Sequence, residues 1–116
     1  MTDADCLFCG IVAGDIPSDT VHEDELIFVF RDIAPVAPTH LLIIPRRHVA
    51  SADDLTEADA ALLGRIFDVS ARLAREAGIA ADGYRVVTNV GRDGGQSVAH
   101  LHFHLLGGRS FSWPPG

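Results

Sequence analysis

The sequence has no basic tract, no long hydrophobic run and only two cysteines, and each shortage removes a class of protein. Nine basic side chains stand against sixteen acidic ones, a formal charge of −7. The electrostatic footprint that nucleic-acid and anionic-membrane binding require is therefore missing, and an anionic ligand has to be held by a local site. The longest purely apolar run, residues 26–30, is far short of the roughly 20 needed to cross a bilayer. The first residues carry two acids and no base, and Cys9, Gly10 and Gly14 soon break the apolar stretch that follows, so no signal peptide is visible. These features predict a soluble, cytoplasmic protein that partners neither nucleic acid nor membrane. There is no internal repeat and no low-complexity segment. At 116 residues and 47% hydrophobic, residues 1–116 read as one domain, long enough to bury roughly 65% of the surface its unfolded chain exposes.

Short β-branched or aromatic runs at 20–23 and 26–31, separated by Asp24-Glu25, predict a hairpin. The two prolines of Ile33-Ala34-Pro35-Val36-Ala37-Pro38 exclude a central strand there. The apolar run 41–44, stopped by Pro45, reads as a strand covered on both faces. Thr56-Glu57-Ala58-Asp59 has the form of a capping box, and Leu62, Ile66, Val69 and Leu73 recur at helical spacing until Gly78 supplies a left-handed stop. Residues 84–89 and 101–106 are two further strands joined by a Gly-rich loop, and Leu7, Phe8, Ile11 and Val12 mark a short helix. Five strands with short links and two helices predict an α+β fold built on an antiparallel sheet. His22 reads as a surface strand residue, and Arg46 and Arg47 as a solvated turn.

Of six histidines, His100, His102 and His104 alternate with Leu101, Phe103 and Leu105. On a strand this puts the imidazoles on one face, about 6.6 Å apart, and the apolar side chains on the other. Two chemistries fit: a metal site using a His-x-His pair, of the cupin kind, or a nucleophilic and acid-base array acting on an anion. The preceding Gly94-Gly95-Gln96-Ser97 brings backbone N–H groups and a hydroxyl to the start of that strand, which is how phosphate is cradled without many cations. Asn89 adds an amide donor from across the loop. A neutral imidazole can attack phosphorus without an external base, while a second one carries the complementary proton.

The run Gly94-Gly95-Gln96-Ser97-Val98-Ala99-His100-Leu101-His102-Phe103-His104-Leu105-Leu106-Gly107-Gly108-Arg109 resembles the signature of the histidine triad (HIT) family. The tail Trp113-Pro114-Pro115-Gly116 is similar to the end of its Hint branch, the purine nucleoside phosphoramidases, and Phe8-Cys9-Gly10-Ile11, Asp32-Ile33-Ala34-Pro35 and Pro38-Thr39-His40 extend the resemblance over most of the chain. The resemblance implies a HIT-like fold, a homodimer whose sheets join into one of ten strands, and hydrolysis of AMP–N bonds at the α-phosphate through a nucleotidyl-histidine. It implies His102 as nucleophile and His104 as phosphate ligand or leaving-group donor. His100 orients the nucleophile, His40 stands behind the triad, and Ser97 relays a proton. Asn89, Gly95, Gln96 and Ser97 contact phosphate. Phe8, Ile11, Phe30, Asp32, Ile33 and Leu42 form the nucleoside pocket, with Asp32 on the ribose. Without the resemblance, the apolar members of that set read as core. Arg31, beside Asp32, departs from the family pattern at the pocket wall, and Arg109 and Trp113 are expected to shape the site and the subunit boundary.

Cys6 and Cys9 form a Cys-x-x-Cys pair without the βαβ setting that a thioredoxin-like redox motif needs, and a zinc site needs two further ligands. Some bacterial HIT proteins are similar here, and the likeness implies structural zinc on Cys6, Cys9, His48 and His100, with buried thiols as the alternative. Catalysis itself needs no cofactor. A dinucleoside polyphosphate hydrolase or nucleotidyltransferase of another HIT branch, and a regulatory nucleotide binder, use the same residues.

Overall fold

Two strands with continuous rather than alternating apolar sequences organise the molecule. In the computed structural model, which describes residues 4–116, β2 (Ile27–Arg31) and β3 (Thr39–Pro45) are buried on both faces. Helix α1 (Leu7–Ala13) covers one face and α2 (Ala60–Glu76) the other. With β1 (Thr20–Glu23), β4 (Arg85–Val87) and β5 (Phe103–Gly107) the sheet runs β1-β2-β3-β5-β4, every pair antiparallel. This is the five-stranded α+β architecture with two helices that the sequence predicts.

Strand alternation divides the interior in two. Ile27, Val29, Leu41, Ile43, Leu101, Phe103 and Leu105 pack with Leu62, Ile66, Val69 and Leu73 of α2. Phe28, Phe30, Leu42 and Ile44 pack with Phe8 and Ile11 of α1. The register places Phe30 beside Leu42 and Leu42 beside His104, so His40 and His104, even-numbered in the same ladder, share the α1 face. Arg31 has the opposite parity and pairs with Asp19 at 3.1 Å, so the expectation that it stands at the wall of the histidine site is corrected.

Several boundaries differ from the predicted ones. The histidine strand is shorter: β5 begins at Phe103, so only His104 lies in the ladder. The reason is that β4 spans three residues and runs out at the Val87–His104 pair, which leaves 100–102 without a strand on that side. Those residues are held instead by Leu101 N–H donating to Val49 O (2.6 Å) and Thr88 Oγ1 donating to His102 O (2.8 Å). Asn89 consequently lies beyond β4. Pro45 ends β3 but still pairs with Ile27. The predicted capping box forms between Thr56 and Asp59, yet over a 3-10 turn, with α2 proper starting at Ala60. Gly78 takes the left-handed conformation that ends it (φ 75°).

His22 is not a plain surface residue. Its Nε2–H donates to Asp24 (2.9 Å) while Arg72 donates to its Nδ1 (3.1 Å), and Arg65 also reaches Asp24 (2.8 Å). This network ties the β1–β2 hairpin to α2. The carboxyl of Asp24 is held far below the usual carboxylate range by hydrogen bonds from His22, the Leu26 and Ile27 amides and Arg65, which outweigh its burial. Arg46 and Arg47 are likewise tied down, on Asp24 O and Asp59.

Candidate active site

The three alternating histidines are buried, not presented to solvent: His100 and His102 are closed off and His104 is half-buried. Phe8 of α1 packs edge-on against both His100 (5.8 Å between centroids) and His102 (5.2 Å). The backbone then assigns the tautomers. His102 Nδ1 lies 2.7 Å from His100 O. A carbonyl can only accept, so the neutral ring carries its proton on Nδ1 and leaves Nε2 with a bare lone pair.

The opposite arrangement holds at His104. Val36 N–H donates to His40 Nδ1 (3.2 Å), so neutral His40 is protonated on Nε2. That nitrogen lies 2.9 Å from His104 Nδ1 and 3.4 Å from Asp32 Oδ2. His104 Nδ1 must therefore accept, and its Nε2 carries a proton. Two adjacent rings, 5.2 Å between centroids, thus carry opposite functions on their Nε2 atoms: a lone pair on His102 and an N–H on His104.

Burial lowers the His40 pKa, with Asp32 opposing. His104 is pushed down to about 4, first by burial, then by His102 and His40, with Asp32 opposing. Folding therefore favours neutral rings. An unfolded chain, with histidines near their ordinary pKa of about 6.5, takes up protons that the folded one resists. The stability this confers is present above about pH 6.5 and is lost as pH falls toward 4. We expect the thermal midpoint to decline through that window, with His104→Asn removing on the order of 2 kcal/mol of the decline after allowance for partial exposure. Melting curves across pH check this; parallel declines in wild type and variant would refute it.

Two clusters bring metal-ligating atoms within 4.8 Å of one another: Cys6, Cys9, His48 and His100, and Asp32, His40 and His104. Their backbone partners separate them. In the second, the Val36 amide keeps the proton on His40 Nε2, the atom that would have to ligate. In the first, His100 Nε2–H donates to Pro45 O (2.9 Å), which turns a bare Nδ1 toward the sulfurs. Cys6 Sγ and Cys9 Sγ lie 3.3 and 3.6 Å from that atom, and Cys9 Sγ 3.4 Å from His48 Nδ1. Those separations match the edge of about 3.6 Å of a zinc tetrahedron built from ordinary Zn–S and Zn–N bonds. Burial also lowers the His100 pKa, and His48 and His102 add to this against the Pro45 bond, which suits a neutral ligand. Cys6 caps α1, accepting from Cys9 N–H (3.4 Å), so the cluster pins that helix to the histidine segment.

The Gly-rich loop is shaped from within. Gly95 has φ +81°, and a Cβ at Gly94 would collide with the Val90 carbonyl. The Gln96 side chain is spent on the loop itself: Oε1 accepts from Gly91 N–H (2.9 Å), and Nε2 donates to Ala50 O (2.7 Å) and Val98 O (2.9 Å). Ser97 is exposed and borders a cavity of about 400 Å³ shared with Cys6 and His48. Phe8, Ile11, Phe30 and Leu42 form one apolar cluster beneath α1, whereas Ile33 stands fully exposed on the loop after β2. Asp32 Oδ1 accepts from Ala34 N–H (2.8 Å). The larger cavity, about 650 Å³, lies away from the histidines, between the β4 edge and the C-terminal segment, lined by Tyr84, Arg85, Arg109 and Phe111. The carbonyls of His100 and Pro45 and the amide of Val36, which set the tautomers, have no signature in the sequence.

Three alternating histidines that lead into an antiparallel sheet, backed by a fourth histidine and a carboxylate, define a histidine-triad site. A family model for the HIT domain matches residues 13–111, and the chain belongs to that family. It is 48% identical over 103 residues to the purine nucleoside phosphoramidase of Escherichia coli, spanning 89% of this chain and 87% of that protein. A HIT family hydrolase from Legionella pneumophila superposes with a TM-score of 0.94 at 52% identity, covering 97% of this chain and all of the other. One from Clostridium thermocellum gives 0.95 at 41%, covering 98% and 99%. Among the described residues no helix is long and apolar enough to cross a membrane.

Proposed function

We propose that this chain is a cytoplasmic, homodimeric purine nucleoside phosphoramidase that hydrolyses AMP–N bonds in two steps. The observation that carries the reading is the pairing of opposite tautomers on His102 and His104. His102 Nε2 gives its lone pair to phosphorus as the P–N bond breaks, and the departing nitrogen takes the proton of His104 Nε2–H. The cluster of Asp32, His40 and His104 is then one proton short. A water that attacks the nucleotidyl-histidine delivers hydroxide to phosphorus and returns that proton, so the sum is amidate plus water giving nucleotide plus amine. The Ser97 backbone N–H and hydroxyl, with Asn89, bind the phosphoryl oxygens, whereas the Gly95 and Gln96 N–H groups are spent on Arg92 O (3.1 Å) and Gly91 O (3.0 Å) and hold the loop in shape. Gln96 acts by shaping the loop, since its side chain and its backbone N–H are both already engaged. The ribose hydroxyls fall to Asp32, and Phe8, Ile11, Phe30, Ile33 and Leu42 wall the base. The high identity to the E. coli phosphoramidase supports this reading.

Zinc on Cys6, Cys9, His48 and His100 completes the fold around α1 and takes no part in the chemistry. The open edge of β4 and the exposed Phe67, Tyr84 and Trp113 are where a second copy would join to make the ten-stranded sheet.

The test is steady-state hydrolysis of an adenosine 5′-phosphoramidate beside a diadenosine polyphosphate, with and without chelator. We expect preference for the phosphoramidate of at least about 100-fold in kcat/KM, since only the amide leaving group needs the positioned proton. Preferred cleavage of the polyphosphate would place the protein in another HIT branch. Binding of AMP without cleavage of either would make it a regulatory nucleotide binder.

A further inference from the structure

Beyond β5 the chain turns at Gly108, which has φ +89° and whose missing Cβ would stand 2.8 Å from Pro38. Only glycine fits that approach, so the C-terminal segment is built to lean on the loop of residues 32–38. There Arg109 Nε donates to Val36 O (3.0 Å), Arg109 NH1 donates to Ser110 O (3.0 Å), and the guanidinium lies 4.2 Å above the Phe111 ring. Val36 is thus held on both sides of its Cα: its carbonyl, in the peptide with Ala37, by the Arg109 side chain, and its N–H, in the peptide with Pro35, on His40 Nδ1. Val36 is itself largely exposed, and two other anchors of the loop, Asp32 N–H on His40 O (3.0 Å) and Ala34 N–H on Asp32 Oδ1, lie at its opposite end.

We propose that Arg109 is a positioning residue of the histidine site: by holding the Val36 carbonyl it fixes the amide that sets the His40 tautomer, and so decides which nitrogen of His104 carries a proton. Asp32 Oδ2, 3.4 Å from His40 Nε2, still draws the proton to that nitrogen, so release of the amide lets part of the population carry it on Nδ1. In that part His40 Nε2 accepts from His104 Nδ1–H, and His104 turns a bare Nε2 to the substrate beside the bare Nε2 of His102. Two acceptors then face a reaction that needs one donor. The consequence for catalysis rests on the phosphoramidase reading; the tautomer claim does not.

Long-range 1H–15N correlation spectra of 15N-histidine-labelled protein, without substrate and above pH 7, read the tautomers directly. Wild type should show Nε2–H at His40 and His104 and Nδ1–H at His102. Arg109→Ala should convert His40 and His104 to mixtures while His102 is unmoved. Val36→Pro, which deletes the amide but keeps the carbonyl, should give the same mixtures, and Arg109→Lys should restore the wild-type pattern. In turnover, Arg109→Ala should lose about tenfold in kcat, the weight of one hydrogen bond, with KM changed less than about twofold. His40 and His104 remaining Nε2–H in Arg109→Ala, whatever Val36→Pro shows, or His102 shifting along with them, would overturn the proposal. Tautomers that shift as stated in a protein inactive on phosphoramidates would uphold it and sink the phosphoramidase reading instead.

Discussion

His102→Gly should bind AMP with little change in affinity and lose at least about 10⁴-fold in phosphoramidate turnover, because it removes the lone pair that forms the covalent bond. Neither neighbouring histidine stands ready to replace it. His100 Nδ1 faces two sulfurs and its Nε2 is bonded to Pro45 O, while the proton sequence from Val36 leaves His104 with an N–H rather than a lone pair. Wild-type enzyme quenched during turnover should carry nucleotide on protein in an acid-labile linkage, and the variant none. Because the missing ring leaves a cavity beside Phe8, free imidazole should restore part of the rate. Turnover within tenfold of wild type, or labelled protein from the variant, would remove His102 from the mechanism.

The second large effect concerns the thiols. Cys6→Ser with Cys9→Ser should abolish about one bound zinc per chain and lower the thermal midpoint by on the order of 10 °C. Serine at position 6 can still cap α1, accepting the same N–H that Cys6 does, so the loss reports on metal rather than on helix capping. The size follows from what the cluster joins: a seven-residue helix, too short to stand alone, to the segment carrying His100 and to His48 beyond β3. Stripping wild type with a chelator should reproduce the variant's melting curve. Metal analysis of purified wild type showing none, with a melting curve identical to the variant's, would refute zinc.

Much of this was legible in the sequence, and for physical reasons. The runs of β2 and β3 are continuous because helices cover both faces, and the heptad-like spacing of α2 is the other side of the same core. The histidine alternation and the Cys-x-x-Cys pair declare themselves because imidazole and thiol are scarce and seldom ornamental. What stayed hidden depends on backbone. The carbonyl of His100 and the amide of Val36 would be present whatever side chain those positions carried, so no residue pattern announces them. β4 is shorter than its β-branched composition predicts, three residues pairing where six could. Nothing in the sequence around His22 announces its network, because its partners, Arg72 and Asp24, lie on another element and in the following turn.

The two-faced sheet has one more consequence. A slip of one residue between β3 and β5 would bring Leu105 to the place of His104 and turn the histidines into the α2 core. The pairing that assembles the hydrophobic interior is the same pairing that assembles the reacting groups. A molecule with the wrong register is therefore inactive as well as poorly packed, and a half-formed sheet has no partial activity to offer. Recovered turnover after refolding consequently counts correctly paired molecules, a census of strand alignment taken by a chemical reaction.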